Sequence, residues 1–301
     1  MDAGVVLAGA TGNLGGRIAS ALLARGAKVR ALVRRGAAPD KVARLQQLGA
    51  AIAEVDFASA ADVAKACAGA ACVVSTLAGL REVIVDAQTV LLEAAVKARV
   101  PRFIPSDYSI DFTRLPVGSN RNLDLRRELH TRLAQAPIAA TSIFNGAFMD
   151  MLTGQAPFIL FRLKRVLYWG NADQRMDFTT IDDTAAFTAA AALDASTPRT
   201  LHIAGDRLSA RELAAIVSDV TGQKFRLFRP GGLTTLATLI RIARALFPKP
   251  QALYPPWQGM QYMHNMFSGL ADVERPDNDR YPGMRWTTAR EVLARAISPG
   301  K

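Results

Sequence analysis

The sequence predicts an α/β protein built on a doubly wound parallel sheet, with a smaller C-terminal lobe. Val5–Ala8 is an apolar run without alternation, as expected of a strand that is buried on both faces. Gly9, Gly12 and Gly15 follow it at three-residue spacing and lead into a helix predicted over residues 14–25. Five further strands alternate with helices before residue 145, which is the order that forms a parallel sheet.

The length and composition fit a globular chain with a sizeable core. The 301 residues are 50% hydrophobic and 21% charged, which excludes the disordered class. We predict a sheet domain over residues 1–150 and, over residues 151–301, segments that complete the sheet and form a substrate lobe. No leader is predicted, and the most apolar run, residues 184–193, is about half the roughly 20 residues that a membrane helix needs. We therefore expect a cytoplasmic protein with no membrane partner.

The net charge and the cysteines exclude further classes. The net charge is +11, but the basic residues are spread along the chain and form no concentrated stripe. This distribution favours binding of a small anionic ligand over binding of a nucleic acid. Cys67 and Cys72 have no histidine nearby. They predict buried, reduced thiols, and we expect neither a disulfide nor a metal site.

The glycine turn after the first strand is a candidate phosphate loop. Glycines let the backbone turn sharply and approach a pyrophosphate, and the free amides at a helix start favour an anion. A tight turn without a ligand is the alternative. The predicted ligand-binding positions in this loop are Gly9, Thr11, Gly12, Asn13, Leu14 and Gly15.

The end of the second strand indicates which dinucleotide would bind. An acidic residue there would accept hydrogen bonds from a ribose 2′-hydroxyl, but the chain has Arg34 and Arg35. Arginine suits a 2′-phosphate, so we predict NADP(H) as the cofactor. Solvated surface arginines are the alternative, and Lys41 is a second candidate for the same phosphate.

The later strand ends supply the remaining candidate positions. The carboxyl ends of parallel strands meet at one edge of a sheet, where open α/β folds bind ligands. Asp56 and Phe57 would lie at the adenine edge, although they could instead cap and pack the next helix. The other predicted cofactor-binding residues at strand ends are Thr76, Leu77, Ala78, Ser106 and Asn145.

Three helices beyond residue 180 have recognisable signals. Asp182 or Asp183 is predicted to cap one helix, and Ser209 with Glu212 forms a capping box for the next. A helix over residues 234–247 is amphipathic and basic, and we expect core or dimer packing there in preference to membrane contact. Its apolar stripe is Leu236, Leu239, Ile240, Ala243 and Phe247.

Together, these features resemble the NmrA-like and isoflavone-reductase-like group of atypical short-chain dehydrogenases/reductases. The resemblance rests on the phosphate loop, Arg34, the Asp56-Phe57 pair, residues 102–106 and residues 281–283. It covers nearly the whole chain. It implies a Rossmann-type domain that binds NADP(H), with the C-terminal lobe closing over a small-molecule substrate.

The chain departs from typical short-chain dehydrogenases at the catalytic positions. Their Tyr-x-x-x-Lys pair is absent, since Phe112 stands four residues after Tyr108. Arg126 occupies the position where reductases of this group carry a lysine. Arginine stays charged, so it can orient a carbonyl or stabilise an oxyanion but cannot shuttle a proton. Tyr108 and Arg126 are the candidate catalytic residues, and a lid residue is the alternative for Tyr108.

Two main functional hypotheses follow. The first is an NADPH-dependent reductase of a small apolar or aromatic carbonyl, quinone or enone. The second is a non-catalytic NADP sensor that binds a regulatory partner protein, and an isomerase or epimerase is a third. A homodimer is compatible with either main hypothesis. The predicted pocket lining is Phe148, Met149, Tyr168, Trp169, Trp257, Met260, Tyr262 and Met263.

Overall fold

A computed structural model describes residues 4–297 and contains a six-stranded sheet in the order β3-β2-β1-β4-β5-β6. Every neighbouring pair is parallel. The strands are β1 Val5–Ala8, β2 Val29–Arg34, β3 Ala51–Val55, β4 Cys72–Ser75, β5 Arg102–Ile104 and β6 Ala139–Ala140. The chain reverses direction across the sheet between β3 and β4, so the predicted doubly wound α/β fold is confirmed.

Helices cover both faces of this sheet. The first five are α1 Asn13–Ala24, α2 Pro39–Gln47, α3 Ala60–Cys67, α4 Gln88–Lys97 and α5 Arg121–Leu133. A π-helical turn, Glu82–Ala87, precedes α4. The helix α6, Ile181–Leu193, lies on the same face of the sheet as α1 and packs against α1.

The core consists of three apolar clusters. One joins β1 and β2 to α1 and α6, and a second joins the other face of the sheet to α3 and α4. The third includes Phe112, Phe144 and Phe178 and lies among the C-terminal elements. Cys67 and Cys72 are free and buried, and burial raises the pKa of Cys67 to about 11 and that of Cys72 to about 12.

The second half of the chain adds short strands. β7 pairs in parallel with β12, while the others form two three-stranded sheets in the orders β13-β11-β8 and β14-β10-β9. Their bounds are β7 Ser142–Phe144, β8 Ala147–Phe148, β9 Ile159–Leu160, β10 Arg165–Leu167, β11 Met176–Thr179, β12 Thr200–His202, β13 Asp206–Leu208 and β14 Arg226–Phe228.

The last four helices are α7 Ala210–Thr221, α8 Leu233–Leu246, α9 Pro256–Phe267 and α10 Ala289–Ile297. The Ser209–Glu212 capping box of α7 is confirmed. The predicted cap of α6 is wrong, because the Thr180 side chain, and neither Asp182 nor Asp183, accepts the capping hydrogen bond. None of the helices in residues 4–297 is both long and apolar enough to cross a membrane.

Candidate dinucleotide and substrate site

The three glycines of the loop between β1 and α1 have different roles. Gly9 has a φ of +84°, which favours glycine. A Cβ on Gly15 would lie 2.2 Å from the Gly9 carbonyl oxygen, so Gly15 allows α1 to pack on the loop. A Cβ on Gly12 would meet only the Gly9 oxygen, at 3.2 Å, and Gly12 is exposed. Gly12 is therefore the glycine that leaves space for a ligand.

The helix start itself is suited to an anion. Gly12 is the N-cap of α1, and no side chain in residues 4–297 caps the first turn. The amides of Asn13 and Leu14 are at this start, where the helix dipole favours negative charge. A groove of about 710 Å³ begins at this loop and runs between α1 and α2. This geometry fits a bound phosphate group.

Cations line the groove. Lys41, predicted as a phosphate candidate, is on its wall with Arg17 and Arg44, neither of which was predicted. Arg17 stands one helical turn after Asn13, and its Nε donates to the Asn13 Oδ1 at 3.0 Å. Because residues at i and i+4 lie on the same side of a helix, the spacing from Asn13 could have predicted that Arg17 lies beside the loop. Arg17 also forms an ion pair with Asp182 across the groove.

Arg34 and Arg35 lie at the end of β2 and are both exposed, outside the groove wall. The guanidinium of Arg35 is 3.8 Å from the Asp62 carboxylate, whereas Arg34 forms no ion pair within residues 4–297. No carboxylate therefore offsets the charge of Arg34 at the place where a 2′-phosphate would sit.

At the predicted adenine edge, Asp56 has a local role. Its Oδ1 accepts from the amide of Ala58 at 2.9 Å, and its own amide donates to Asp62 Oδ2 at 2.9 Å. Phe57 is partly buried against the cluster under α3 and α4. These contacts match the packing alternative for the pair, and they leave the Phe57 ring partly accessible.

Thr76 lies beneath the phosphate loop. Its hydroxyl donates to the Ala8 carbonyl oxygen at 2.9 Å, so this side chain holds β4 against β1. The same hydroxyl would be 2.6 Å from a Cβ on Gly15. Leu77 and Ala78 follow it with accessible surface at the strand end. The structure thus gives Thr76 a supporting role beside the loop.

Asn145 has two buried polar atoms without hydrogen-bond partners in residues 4–297. It follows β7 directly and is fully buried, yet neither its Oδ1 nor its Nδ2 has a hydrogen-bond partner in the described part of the chain. Its backbone is fixed, because its amide donates to Ser109 at 3.1 Å and its carbonyl accepts from Thr179 at 2.7 Å. An unsatisfied buried amide costs about 1–3 kcal/mol, so these two atoms are unpaired polar groups at the carboxyl end of β7.

Arg126 is a buried cation at the end of β5. Its Nε donates to the Ser106 carbonyl oxygen at 3.0 Å, and its Nη1 donates to the Asn122 carbonyl oxygen at 3.0 Å. Its Nη2 bonds no residue within the described range, 4–297. Ser106 is held from the other side, since its amide donates to Gln88 Oε1 at 3.0 Å. The site therefore presents a fixed positive charge with free donors.

Tyr108 lies in the apolar core beside α6. Its hydroxyl is buried without a hydrogen bond of normal geometry in residues 4–297, and its ring packs in the apolar cluster with Cys72 and Phe187. Burial is the main reason why the pKa of Tyr108 is raised, and the nearby Thr188 hydroxyl offsets this only in part. This position favours a packing role over proton transfer.

A charged cluster supports the segment that carries Ser106 and Tyr108. His130 Nε2 lies 2.6 Å from Asp107 Oδ2, and this carboxylate is fully buried. Arg199 donates to the Ser142 hydroxyl at 2.7 Å beside the same histidine. The sequence did not predict this cluster, although His130 stands one helical turn after Arg126. It ties α5 to the end of β5 and so positions Arg126.

The helix α9 of the C-terminal half contacts the start of α5, the helix that carries Arg126. Buried amides connect the first turn of α5 to α9, as Gln258 donates to Asn120 Oδ1 at 2.6 Å and Asn120 donates to Asn265 Oδ1 at 3.2 Å. The Arg121 amide donates to Gln261 Oε1 at 3.2 Å. These hydrogen bonds fix the position of α9 relative to α5, with one face of α9 directed toward Asn122 and Arg126.

Tyr262 lies on that face. Burial raises the pKa of its phenol, while the charges of Arg126 and Arg121 and the nearby Asn122 side chain act in the opposite direction. Tyr262 was predicted only to line the pocket, because nothing in the sequence places α9 beside α5. In the predicted pocket lining, Met149, Trp169, Trp257 and Met263 are instead buried core residues.

Comparison with known proteins identifies the family. The NmrA-like family model matches residues 1–270. The chain belongs to the NmrA-like family. This match confirms the family resemblance that the sequence motifs predict.

Individual relatives of this NmrA-like chain are reductases by name. Pinoresinol reductase 2 of Arabidopsis thaliana is 32% identical over 213 residues, and the match spans 66% of each protein, just under two thirds. The solved structure of AtPrR2 with NADP+ and (+)-pinoresinol has a TM-score of 0.83 at 24% identity and covers 98% of both chains. An NADPH-dependent quinone oxidoreductase from Escherichia coli has a TM-score of 0.74 at 19% identity, covering 96% of this chain and 98% of that one. At these identities the structural likeness supports the fold.

Proposed function

We propose that this chain is an NADPH-dependent reductase of a small apolar or aromatic carbonyl, quinone or enone. The observation that carries the proposal is Arg126, a buried guanidinium whose Nη2 is free of bonds to residues 4–297 at the end of β5. Family membership and the reductase names of the relatives agree with it.

The residues that would hold NADP(H) lie along one edge of the sheet. The amides after Gly12 would bind the pyrophosphate, and Arg34, Arg35 and Lys41 would bind the 2′-phosphate. Ser106, Asn145 and the backbone of residues 77–78 would flank the nicotinamide. The unsatisfied amide of Asn145 fits this assignment, because a carboxamide would satisfy both of its polar atoms. When bound, the cofactor supplies the hydride.

The contribution of the chain is orientation and electrostatics. A guanidinium is permanently charged, so the role of Arg126 is to donate hydrogen bonds to the acceptor oxygen as negative charge develops there. Backbone carbonyl oxygens already hold Nε and Nη1, so Nη2 would need no rearrangement to donate to the acceptor oxygen. Tyr262 is the phenol beside Arg126, and it is our candidate for donating the proton to that oxygen.

We assign the substrate lobe to residues 151–301, as the sequence analysis predicted. Tyr262 comes from this lobe, whereas Arg126 comes from residues 1–150, so the acceptor would bind between them. The half-buried side chains Phe148, Tyr168 and Met260 offer apolar and aromatic surface in the predicted lining. A site with Arg126 and Tyr262 at one end and these apolar side chains along its wall would suit an acceptor with one reactive oxygen.

The test is NADPH consumption with a panel of quinones, enones and aromatic aldehydes. Activity on at least one class, absent from a Gly12→Val variant that lacks the nucleotide site, would support the proposal. NADPH binding without consumption on any acceptor would contradict it and favour the non-catalytic sensor.

A further inference from the structure

The segment between Asp219 and Asp272 has an unusual charge composition. Residues 220–271 contain no Asp or Glu and six basic residues, so they supply six of the eleven net positive charges of the chain. None of the six pairs with a carboxylate anywhere in the described residues 4–297. The basic residues are Lys224, Arg226, Arg229, Arg241, Arg244 and Lys249.

The same segment exposes large apolar side chains. Among residues 4–297, six of the eleven exposed large hydrophobic side chains lie between residues 228 and 254, with Leu246 67% and Phe247 55% exposed. Isolated exposed apolar residues are common on protein surfaces, but a concentration of them marks an interaction site. The six are Phe228, Leu239, Ile242, Leu246, Phe247 and Tyr254.

The helix α8 organises this surface. Only Leu236 of its 14 residues is fully buried, and Ile240 is partly buried against the core, whereas Leu239 and Phe247 of the predicted stripe are exposed. Leu239, Ile242 and Leu246 are spaced i, i+3 and i+7 and therefore share one exposed face. Arg241 lies on the solvent side of the helix, whereas Arg244 is stacked over the Trp257 ring at 5.4 Å.

We propose that the exposed face of α8 and its basic neighbours from residue 224 to residue 254, here called the α8 surface, docks on an anionic lipid bilayer. Apolar side chains on a basic helix can enter the headgroup layer while the cations remain at the anionic surface. This is peripheral attachment, which is consistent with the lack of a spanning helix in residues 4–297.

Charge favours a bilayer over the other partners that such a surface could bind. A second copy would bring the same uncompensated cations, since residues 220–271 have no carboxylate to pair with them. A nucleic acid would neutralise the cations but would leave Leu246 and Phe247 against phosphate and water. An anionic bilayer satisfies both the charge and the apolar side chains.

The test is flotation of the full-length protein with lipid vesicles, an assay that does not depend on enzymatic activity. We expect binding to equimolar phosphatidylcholine and phosphatidylglycerol, little binding to phosphatidylcholine alone, and weaker binding at about 1 M salt, where the Debye length is about 3 Å. Arg241→Gln with Lys249→Gln should weaken binding about 25-fold, since each cation contributes about fivefold. Leu246→Ser with Phe247→Ser should weaken it at least about tenfold.

Matched variants on other surfaces provide the control. Arg25→Gln with Lys97→Gln removes the same charge from exposed positions, and Val117→Ser removes an exposed apolar side chain, so these should bind like wild type. Equal binding to both vesicle types, or none to either, would overturn the proposal. So would dimerisation in sedimentation velocity that Leu246→Ser with Phe247→Ser abolishes, or retention on duplex DNA that Arg241→Gln with Lys249→Gln abolishes.

Discussion

Arg126 donates a hydrogen bond from its Nε to the Ser106 carbonyl oxygen at 3.0 Å, and this bond fixes a buried cation at the carboxyl end of β5. A lysine ammonium is a compact charge that can exchange a proton, but a guanidinium is planar and permanently charged. An arginine at this position therefore separates two tasks that one lysine could combine. In our account, Arg126 stabilises the charge of the acceptor oxygen and another group supplies the proton.

Gly12 and Gly15 should respond differently to substitution by alanine. Gly15→Ala places a Cβ 2.2 Å from a carbonyl oxygen, so thermal unfolding should show a clear loss of stability. Gly12→Ala should keep its melting temperature within a few degrees but lose NADPH affinity in calorimetry. If Gly12→Ala binds NADPH as tightly as wild type, the phosphate-loop assignment is wrong.

Arg34 should determine the preference for NADPH over NADH. Charge-assisted hydrogen bonds are worth about 1.5–3 kcal/mol, so Arg34→Ala should reduce the NADPH affinity by roughly tenfold to a hundredfold and leave the NADH affinity unchanged. Arg25→Ala removes an exposed arginine elsewhere and serves as the control. Equal affinity of the wild-type protein for the two nucleotides would contradict the assignment.

Tyr262 and Tyr108 form a matched pair of phenols. Tyr262→Phe should lower kcat by about 10²-fold and flatten the alkaline limb of the pH–rate profile, because it removes the proposed proton donor. Tyr108→Phe should keep kcat within a few-fold, since the buried hydroxyl lies within the apolar cluster. The reverse result would restore Tyr108 as the donor.

Asp194 should make stability depend on pH. Burial raises the pKa of its carboxyl, but hydrogen bonds from Ser196, Arg280 and Tyr281 outweigh this and hold the pKa well below its usual value. A lowered pKa means that the carboxylate stabilises the fold above about pH 4, its unfolded pKa, and that this contribution is lost as the pH falls further. Asp194→Asn should lower the free energy of unfolding by about 1–3 kcal/mol at pH 7.

The difference between Asp194→Asn and wild type should shrink as denaturant titrations are repeated below about pH 4. Asp173→Asn breaks an exposed ion pair with Arg211 and should have little effect at either pH. A difference for Asp194→Asn that stays constant from pH 7 to pH 3 would show that its charge is not the cause.

The sequence predicted the sheet well because its signals are local. Unbroken apolar runs such as Val5–Ala8 and the glycines after it determine both the strand and the turn, and the strand ends then locate Ser106 and Asn145. Long-range packing was not predictable in this way. The contact of α9 with α5, the burial of Tyr108 on the α6 side and the exposure of the α8 stripe depend on elements far apart in the chain.

The most direct test of the account is the kcat for NADPH oxidation by wild type and Arg126→Met with the best acceptor of the panel. Removal of one oxyanion donor typically costs 10²–10³-fold, so we expect kcat to fall by about that factor while NADPH affinity and melting temperature stay near wild type. Arg126→Lys should retain part of the rate. An Arg126→Met variant with the kcat of wild type would contradict the central claim.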